Sequence, residues 1–254
     1  MKIKNIGLEL YSVKEHYAED LYGTLSKVKN IGYKGVEFFG EFKYSAEETA
    51  DALNKNGLVC CGWHTPWSYV QDDLLEKTVS YNKIIGNKYI IVPGLPGELT
   101  KTPEGWLTVA KKFNELADVL DKYGMMIGYH NHAHEFAPLQ DGSVPYYLLF
   151  DNTNKKVVVQ LDNGNALKGN GKIYDIPVRY PNRMQSVHLK PFSVKYGFDT
   201  MIGEDDIDWN RFVSLCMQNG DTEWFIVEYE SIKLYEPMLG VELCYKQLAK
   251  LGLL

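Results

Sequence analysis

The sequence predicts an α/β fold, a closed (β/α)8 TIM barrel that forms one domain over residues 1–254. Short apolar segments of β character alternate with segments of helical periodicity, and a regular alternation of this kind implies a parallel sheet. Eight such units in 254 residues average about 32 residues each, close to the size of a strand and helix repeat. An open doubly wound sheet is the alternative, but such sheets usually carry a Gly-rich turn after the first strand, where this chain has Tyr11-Ser-Val-Lys-Glu.

The eight predicted strands are apolar segments of high β propensity. They cover residues 6–13, 35–39, 58–64, 89–93, 125–132, 156–162, 184–190 and 224–230. Signals for helix ends lie between them. Ser45 and Glu48 form a capping box, and Pro103 suits the first turn of a helix that ends before Gly124. Apolar residues at helical spacing predict two more helices, one before Gly32 and one near the C-terminus.

Charge and apolar pattern exclude several classes of partner. Lys and Arg total 27 against 33 for Asp and Glu, a net charge of −6, which disfavours nucleic acid and anionic membrane surfaces. The apolar segments are too short for a membrane helix of about 20 residues. The first residues lack the apolar core of a secretory signal, so we expect a cytoplasmic protein, and the sequence leaves a homo-oligomer open. The four cysteines have no CxxC spacing and are expected to be buried free thiols.

Polar residues concentrate at the C-terminal ends of the predicted strands, where the active sites of such barrels lie. Five of the six histidines lie there: His64, His130, His132, His134 and His188. A single strand-end histidine or carboxylate is typical of an ordinary rim or helix cap. Several such groups at one barrel mouth are not explained in this way, because unpaired acids placed so close together would repel one another.

Four of these groups follow consecutive strands and predict a metal site: Glu135, Asp162, His188 and Glu228. A divalent cation would offset the repulsion between the carboxylates. Three carboxylates and one imidazole favour Mn²⁺ or Mg²⁺, and Co²⁺ or Zn²⁺ is also compatible with the set.

Side-chain parity supports most of this set. Gln160 and Asp162 share one face of their strand, and His188 and Lys190 share one face of the next. Glu135, however, has the parity opposite to that of the preceding histidines, so it reaches the same centre only if the strand ends or bulges before it.

Two of the four metal-ligand positions therefore have an alternative residue. His130 or His132 is the substitute for Glu135 as a ligand. The last predicted strand offers Glu230 beside Glu228, and either could be the fourth ligand.

The order of these motifs resembles the xylose isomerase-like TIM barrels, and within them the sugar phosphate isomerase/epimerase family. The resemblance covers nearly the whole chain. Its motifs are Ile6-Gly-Leu-Glu-Leu-Tyr-Ser-Val, Ile31-Gly-Tyr-Lys-Gly-Val-Glu37, Tyr129-His-Asn-His-Ala-His-Glu-Phe136, Leu161-Asp-Asn-Gly-Asn165, His188-Leu-Lys190, Gly203-Glu-Asp-Asp-Ile-Asp-Trp209 and Val227-Glu-Tyr-Glu230. It implies one divalent metal held by Glu, Asp, His and Glu, which correspond to the four residues named above.

A metal beside acid/base groups predicts removal of a proton next to a carbonyl. We expect His132 to act with Glu228 or Glu230, and His130 is a further catalytic candidate. A metal-dependent sugar isomerase or epimerase is the leading interpretation. A lyase or dehydratase that eliminates from a keto-sugar or 3-keto-glycoside is the second, and a non-catalytic carbohydrate-binding barrel is the third.

The expected partner is a small sugar or glycoside without a phosphate, because no phosphate-binding loop is visible. Glu37 and His64 are expected to bind its hydroxyls, and Lys190 has the parity to face it. The aromatic rings of Tyr11, Phe39 and Trp67 are candidate stacking surfaces for a sugar ring.

Overall fold

The computed structural model describes residues 2–254 and forms a closed barrel in which strands β1 to β8 follow one another in sequence order. The strands are β1 (Ile6–Glu9), β2 (Gly35–Phe39), β3 (Val59–His64), β4 (Tyr89–Val92), β5 (Met126–His130), β6 (Val158–Asp162), β7 (Ser186–Leu189) and β8 (Trp224–Val227). All neighbouring pairs are parallel, and β1 closes the barrel on β8. The predicted fold is therefore confirmed.

Helices cover the outside of the barrel. They are α1 (Lys14–Glu19), α2 (Leu21–Ile31), α3 (Ala46–Asn56), α4 (Asp72–Ile84), α5 (Pro103–Asp121), α6 (Pro145–Asp151), α7 (Asn163–Lys168), α8 (Ile176–Arg179), α9 (Trp209–Leu215) and α10 (Pro237–Lys250). The Ser45 hydroxyl accepts the Glu48 N–H at 3.1 Å, as the capping box predicts. None of the helices within residues 2–254 is long and apolar enough to cross a membrane.

The first and last strands are shorter than predicted. β1 ends at Glu9, and Leu10–Val13 forms a 3-10 turn that brings Tyr11 to the rim of the barrel. β8 ends at Val227, so the glutamates that follow it lie in a loop. Beyond these points the chain leaves the barrel ladder; the Tyr229 N–H, for example, donates to the Ser12 hydroxyl at 2.9 Å.

Two apolar regions pack against the sheet. The larger one lies between the strands and the surrounding helices, and all four cysteines are buried and unpaired. The smaller one, which we call the lower plug, fills the barrel interior with Cys61, Tyr89, Ile91, Val158, Trp224 and Ile226. The inward-facing side chains nearer the C-terminal ends of the strands are polar, so the barrel interior divides into an apolar layer and a polar layer.

One irregularity in the sheet sets the direction of side chains in β3. Val36 pairs with Cys60 but Glu37 pairs with Gly62, so β3 contains one extra residue at this point. Gly62 is required there, because a Cβ atom would overlap the Glu37 carboxylate. After the shift, Trp63 faces the helices and stacks on Phe38, and His64 faces the barrel interior.

Candidate active site

A cavity of about 720 Å³ opens at the C-terminal ends of the strands. Its apolar lining, which we call the apolar wall, is formed by Tyr11, Phe39, Pro66, Trp67, Pro93, Leu95 and Pro96. Its polar lining, which we call the polar wall, comes from several strands around the ring and is formed by Glu9, His64, His130, His132, Glu228 and Glu230. A cavity lined by apolar side chains and a few convergent polar groups is typical of a small-molecule site.

Four buried side chains meet at the base of this cavity. His130 ends β5, Asp162 ends β6, His188 lies in β7, and Glu228 follows β8. One donor atom from each lies within 4.8 Å of the others. We call these four residues the buried quartet. Sequence reasoning placed three of them in the metal site and named His130 as a substitute for the fourth.

Glu135 does not join the quartet, so the structure corrects that expectation. Its carboxylate accepts the Tyr129 hydroxyl at 2.6 Å and the His132 N–H at 2.8 Å, and it lies 3.1 Å from His134 Nε2. Tyr129 points from β5 toward the helices. The turn His134–Phe136 therefore leaves Glu135 on the outer side of the strand, as its parity indicated.

Glu37 is also placed differently from the prediction. It is completely buried and lies below the cavity, so it does not bind a substrate hydroxyl in its wall. Its carboxylate contacts the Nε2 atom of His188, which leaves Nδ1 directed at the quartet. Burial opposes a charged Glu37, but the imidazoles of His64 and His188 outweigh it and lower the pKa of this carboxyl. Glu37 thus orients His188, a role typical of a carboxylate behind a metal-binding imidazole.

Gln160 orients the other imidazole of the quartet. Its amide Nε2 donates to Glu37 at 2.8 Å and to the Ser186 hydroxyl at 3.0 Å, so its Oε1 is the acceptor. That oxygen lies 3.1 Å from His130 Nδ1 and 2.8 Å from His64 Nε2. His130 then presents Nε2 to Asp162 at 3.8 Å. Burial and the neighbouring imidazoles hold the pKa of His130 well below its usual value, so its ring is neutral.

Lys190 faces the carboxylates rather than the open cavity. Its ammonium lies 2.9 Å from Glu228, 2.8 Å from Glu230 and 3.8 Å from Asp162, and only 3% of the residue is exposed. Burial opposes its charge, but these carboxylates outweigh that effect and raise the pKa of Lys190. The expected contact between Lys190 and substrate is therefore replaced by a contact with the acids of the site.

Four residues that the sequence singled out line the cavity: His132, Trp67, Tyr11 and Phe39. His132 lines the cavity, and its ring centroid is 5.2 Å from that of His130. Trp67 lies on the apolar wall, and Tyr11 packs edge-on against Phe39 with ring centroids 5.2 Å apart. Desolvation by the cavity wall lowers the pKa of the His132 imidazole.

Sequence reasoning missed Glu9. This residue ends β1, is 2% exposed and lines the polar wall. The predicted first strand continued to residue 13, which hid Glu9 in the middle of a strand. Two signals were present in the sequence: Glu9 is a carboxylate in an otherwise apolar segment, and it shares the inward parity of Gly7.

Comparison with known proteins identifies the family. The profile of the xylose isomerase-like TIM barrel matches residues 25–243, so the chain belongs to that family. An inosose dehydratase of Clostridium perfringens is 22% identical over 244 positions, which cover 81% of each chain. The crystal structure of a sugar phosphate isomerase/epimerase from Parabacteroides distasonis superposes with a TM-score of 0.85 at 21% identity, covering 98% of this chain and 94% of that one. The structure of the IolI protein with a zinc atom gives 0.72 at 14% identity, covering 97% of each chain.

Proposed function

We propose that this protein is a metal-dependent lyase that removes water from an uncharged polyhydroxylated ketone. The observation that carries the proposal is the position of His132, which lines the cavity beside the quartet member His130, with ring centroids 5.2 Å apart. The first step would be removal of the proton on the carbon next to the carbonyl. Elimination is favoured as the outcome because the curated relatives carry the name inosose dehydratase.

The buried quartet fits a divalent cation. It contains two imidazoles and two carboxylates, and Glu37 and Gln160 turn one nitrogen of each ring toward the centre. This set has more nitrogen than the one expected from the sequence, so it favours Mn²⁺, Co²⁺ or Zn²⁺ over Mg²⁺. A cation held there would supply Lewis-acid stabilisation of negative charge on the carbonyl oxygen.

The protein's own side chains would perform the remaining steps. His132 accepts the proton from the carbon, and the apolar wall around Trp67 holds the ring and excludes water. Lys190 stays with Glu228 and Glu230 and keeps their negative charges compensated. General acid–base groups of this kind contribute about 10²–10⁴-fold to rate.

The substrate is expected to be uncharged. Of the residues that the structure describes, no Lys or Arg lines the cavity, and the ammonium of Lys190 is already paired with carboxylates. A phosphate would meet the acidic wall of Glu9, Glu228 and Glu230 without a cationic partner.

Isomerisation or epimerisation is the second candidate, because it begins with the same proton removal. His132 follows β5 and Glu230 follows β8, so the two groups approach the cavity from different sides. Return of the proton to the opposite face of the carbon would then give an epimer instead of an alkene.

The test is metal analysis of the purified protein followed by reaction with an inosose in D₂O, monitored by NMR. A lyase is expected to release water and form the unsaturated ketone, and loss of activity on chelation should be reversed by Mn²⁺, Co²⁺ or Zn²⁺. Deuterium in an intact or rearranged substrate would favour the isomerase instead. No bound metal, and no activation by any of these ions, would contradict the proposal.

A further inference from the structure

We propose that Glu9 is the general acid that protonates the departing hydroxyl, acting from the side of the barrel opposite His132. This inference rests on the proposed lyase function, and it assigns a catalytic role to a residue outside the quartet and its supporting side chains. It is carried by the geometry of one carboxylate oxygen.

That oxygen is Glu9 Oε2. The other oxygen, Oε1, lies 3.3 Å from His64 Nδ1. Oε2 is buried and has no hydrogen-bond partner. Within residues 2–254 it is the one buried carboxylate oxygen that lacks a partner. An unsatisfied buried oxygen costs about 1–3 kcal/mol, so it calls for a specific explanation. Glu9 lines the cavity, and rotation of its carboxylate would present Oε2 to a hydroxyl of a bound substrate, which would satisfy it.

The barrel topology places this oxygen on the side of the cavity opposite the proposed base. β1 and β5 are four strands apart in a closed ring of eight, so Glu9 at the end of β1 lies across the barrel from His132, which follows β5. An elimination needs a base at one carbon and an acid at the leaving oxygen of the next carbon. Groups that approach from opposite sides of the barrel can reach both ends of such a substrate.

The surroundings of Glu9 favour its protonated form. Burial and the Glu228 carboxylate raise the pKa of Glu9 to about 7, while the imidazoles of His64 and His188 act in the other direction. A carboxylic acid that keeps its proton near neutral pH is suited to donate it.

His132 takes the proton from the carbon beside the carbonyl, and the electron pair of that C–H bond forms the new carbon–carbon double bond. The C–O bond at the neighbouring carbon breaks, and its oxygen leaves with the bonding pair and the Glu9 proton as water. Exchange with solvent then returns the proton from His132 to Glu9, so that one water leaves and no oxidant or reductant is required.

The experiment compares an inosose with its analogue that carries fluorine in place of the β-hydroxyl, since fluoride leaves without a proton. In Glu9→Gln, water loss should fall about 10²–10⁴-fold, whereas fluoride release stays within about threefold of the wild type. Deuterium incorporation beside the carbonyl should persist, because His132 is intact. Glu41→Gln makes the same change on an exposed rim carboxylate and should match the wild type.

Each other outcome is decisive. Equal losses of water and fluoride release in Glu9→Gln would show that Glu9 acts only through His64 or the fold. If that variant does not fold, Glu9→Asp replaces it: the shorter acid should lower the ratio of water loss to fluoride release at least about tenfold, and an unchanged ratio would overturn the proposal. Wild-type protein inert toward both compounds would overturn the lyase function, and the role of Glu9 with it.

Discussion

The two layers inside the barrel are buried to the same degree but differ completely in chemistry. The lower plug is built from apolar side chains such as Ile91, Val158 and Ile226. The polar layer above it contains charged and hydrogen-bonded groups such as Glu37, His188 and Glu228. Burial of apolar surface stabilises the fold, whereas burial of charge is tolerated only when partners satisfy it. The lower layer should therefore govern stability and the upper layer activity.

The largest effect is expected from Asp162→Asn in the upper layer. The substitution removes one negative charge from the quartet. Asp162 accepts a hydrogen bond from the Asn165 N–H at 2.7 Å, and the amide oxygen of an asparagine can still accept it. Bound metal should be lost, and turnover should fall at least about 10²-fold, the scale for losing one group that stabilises developing charge. Metal content and the rate of deuterium incorporation would measure this.

Asp73→Asn is the matched control, because it makes the same change on the exposed surface of α4. It should retain full activity. If Asp162→Asn also kept its metal and its turnover, the polar layer would not govern activity as proposed.

A smaller effect is expected from Glu37→Gln. This carboxylate does not line the cavity, so it acts on the quartet indirectly, through the His188 ring that it contacts and through Gln160, which it fixes against His130. Metal affinity should fall about 10–100-fold, as is typical for a group that orients a ligand. Competition with a chelator would measure the change.

Ser186→Ala removes a neighbouring hydroxyl that accepts only from Gln160, and it serves as the control for Glu37→Gln. It should change metal affinity less than Glu37→Gln does. Equal effects of the two variants would mean that the whole polar layer acts as one network, and that Glu37 has no special role in it.

The smallest effect is expected in the lower plug. Ile91→Val should reduce the free energy of unfolding by about 0.5–1.5 kcal/mol and leave turnover unchanged, because the lost methyl group lies below the polar layer. Chemical denaturation and a steady-state assay well below the melting temperature would test both parts. Ile232→Val, at an 81% exposed position, should change neither. A loss of turnover in Ile91→Val at full folding would show that the two layers are coupled.

The barrel could be predicted from sequence because it depends on periodic features. All eight strands appear where alternation of apolar segments placed them, and the ends of α3 and α5 follow from their capping residues. Three members of the quartet could be predicted for the same reason: Asp162 and His188 keep a strand parity, and Glu228 continues that of β8 directly beyond its end.

The remaining parts of the site depend on turns, strand ends and strand alignment, which leave no periodic pattern in the sequence. Glu135 lies beyond the end of β5, where a turn decides its direction and strand parity no longer applies. Glu9 was hidden because the 3-10 turn after β1 has the same apolar composition as the strand. The depth of Glu37 depends on how β2 and β3 align, which the sequence of neither strand reveals alone.

The extra residue in β3 decides which of two neighbouring side chains enters the barrel. Cys60 faces the helices, and plain alternation from it would turn Trp63 into the barrel and His64 out of it, which would fill the cavity with an indole. The extra residue reverses this order, because Trp63 pairs with Phe38 and His64 with Phe39. The opening of the cavity thus depends on a single irregular step between two strands, although no residue at that step lines it.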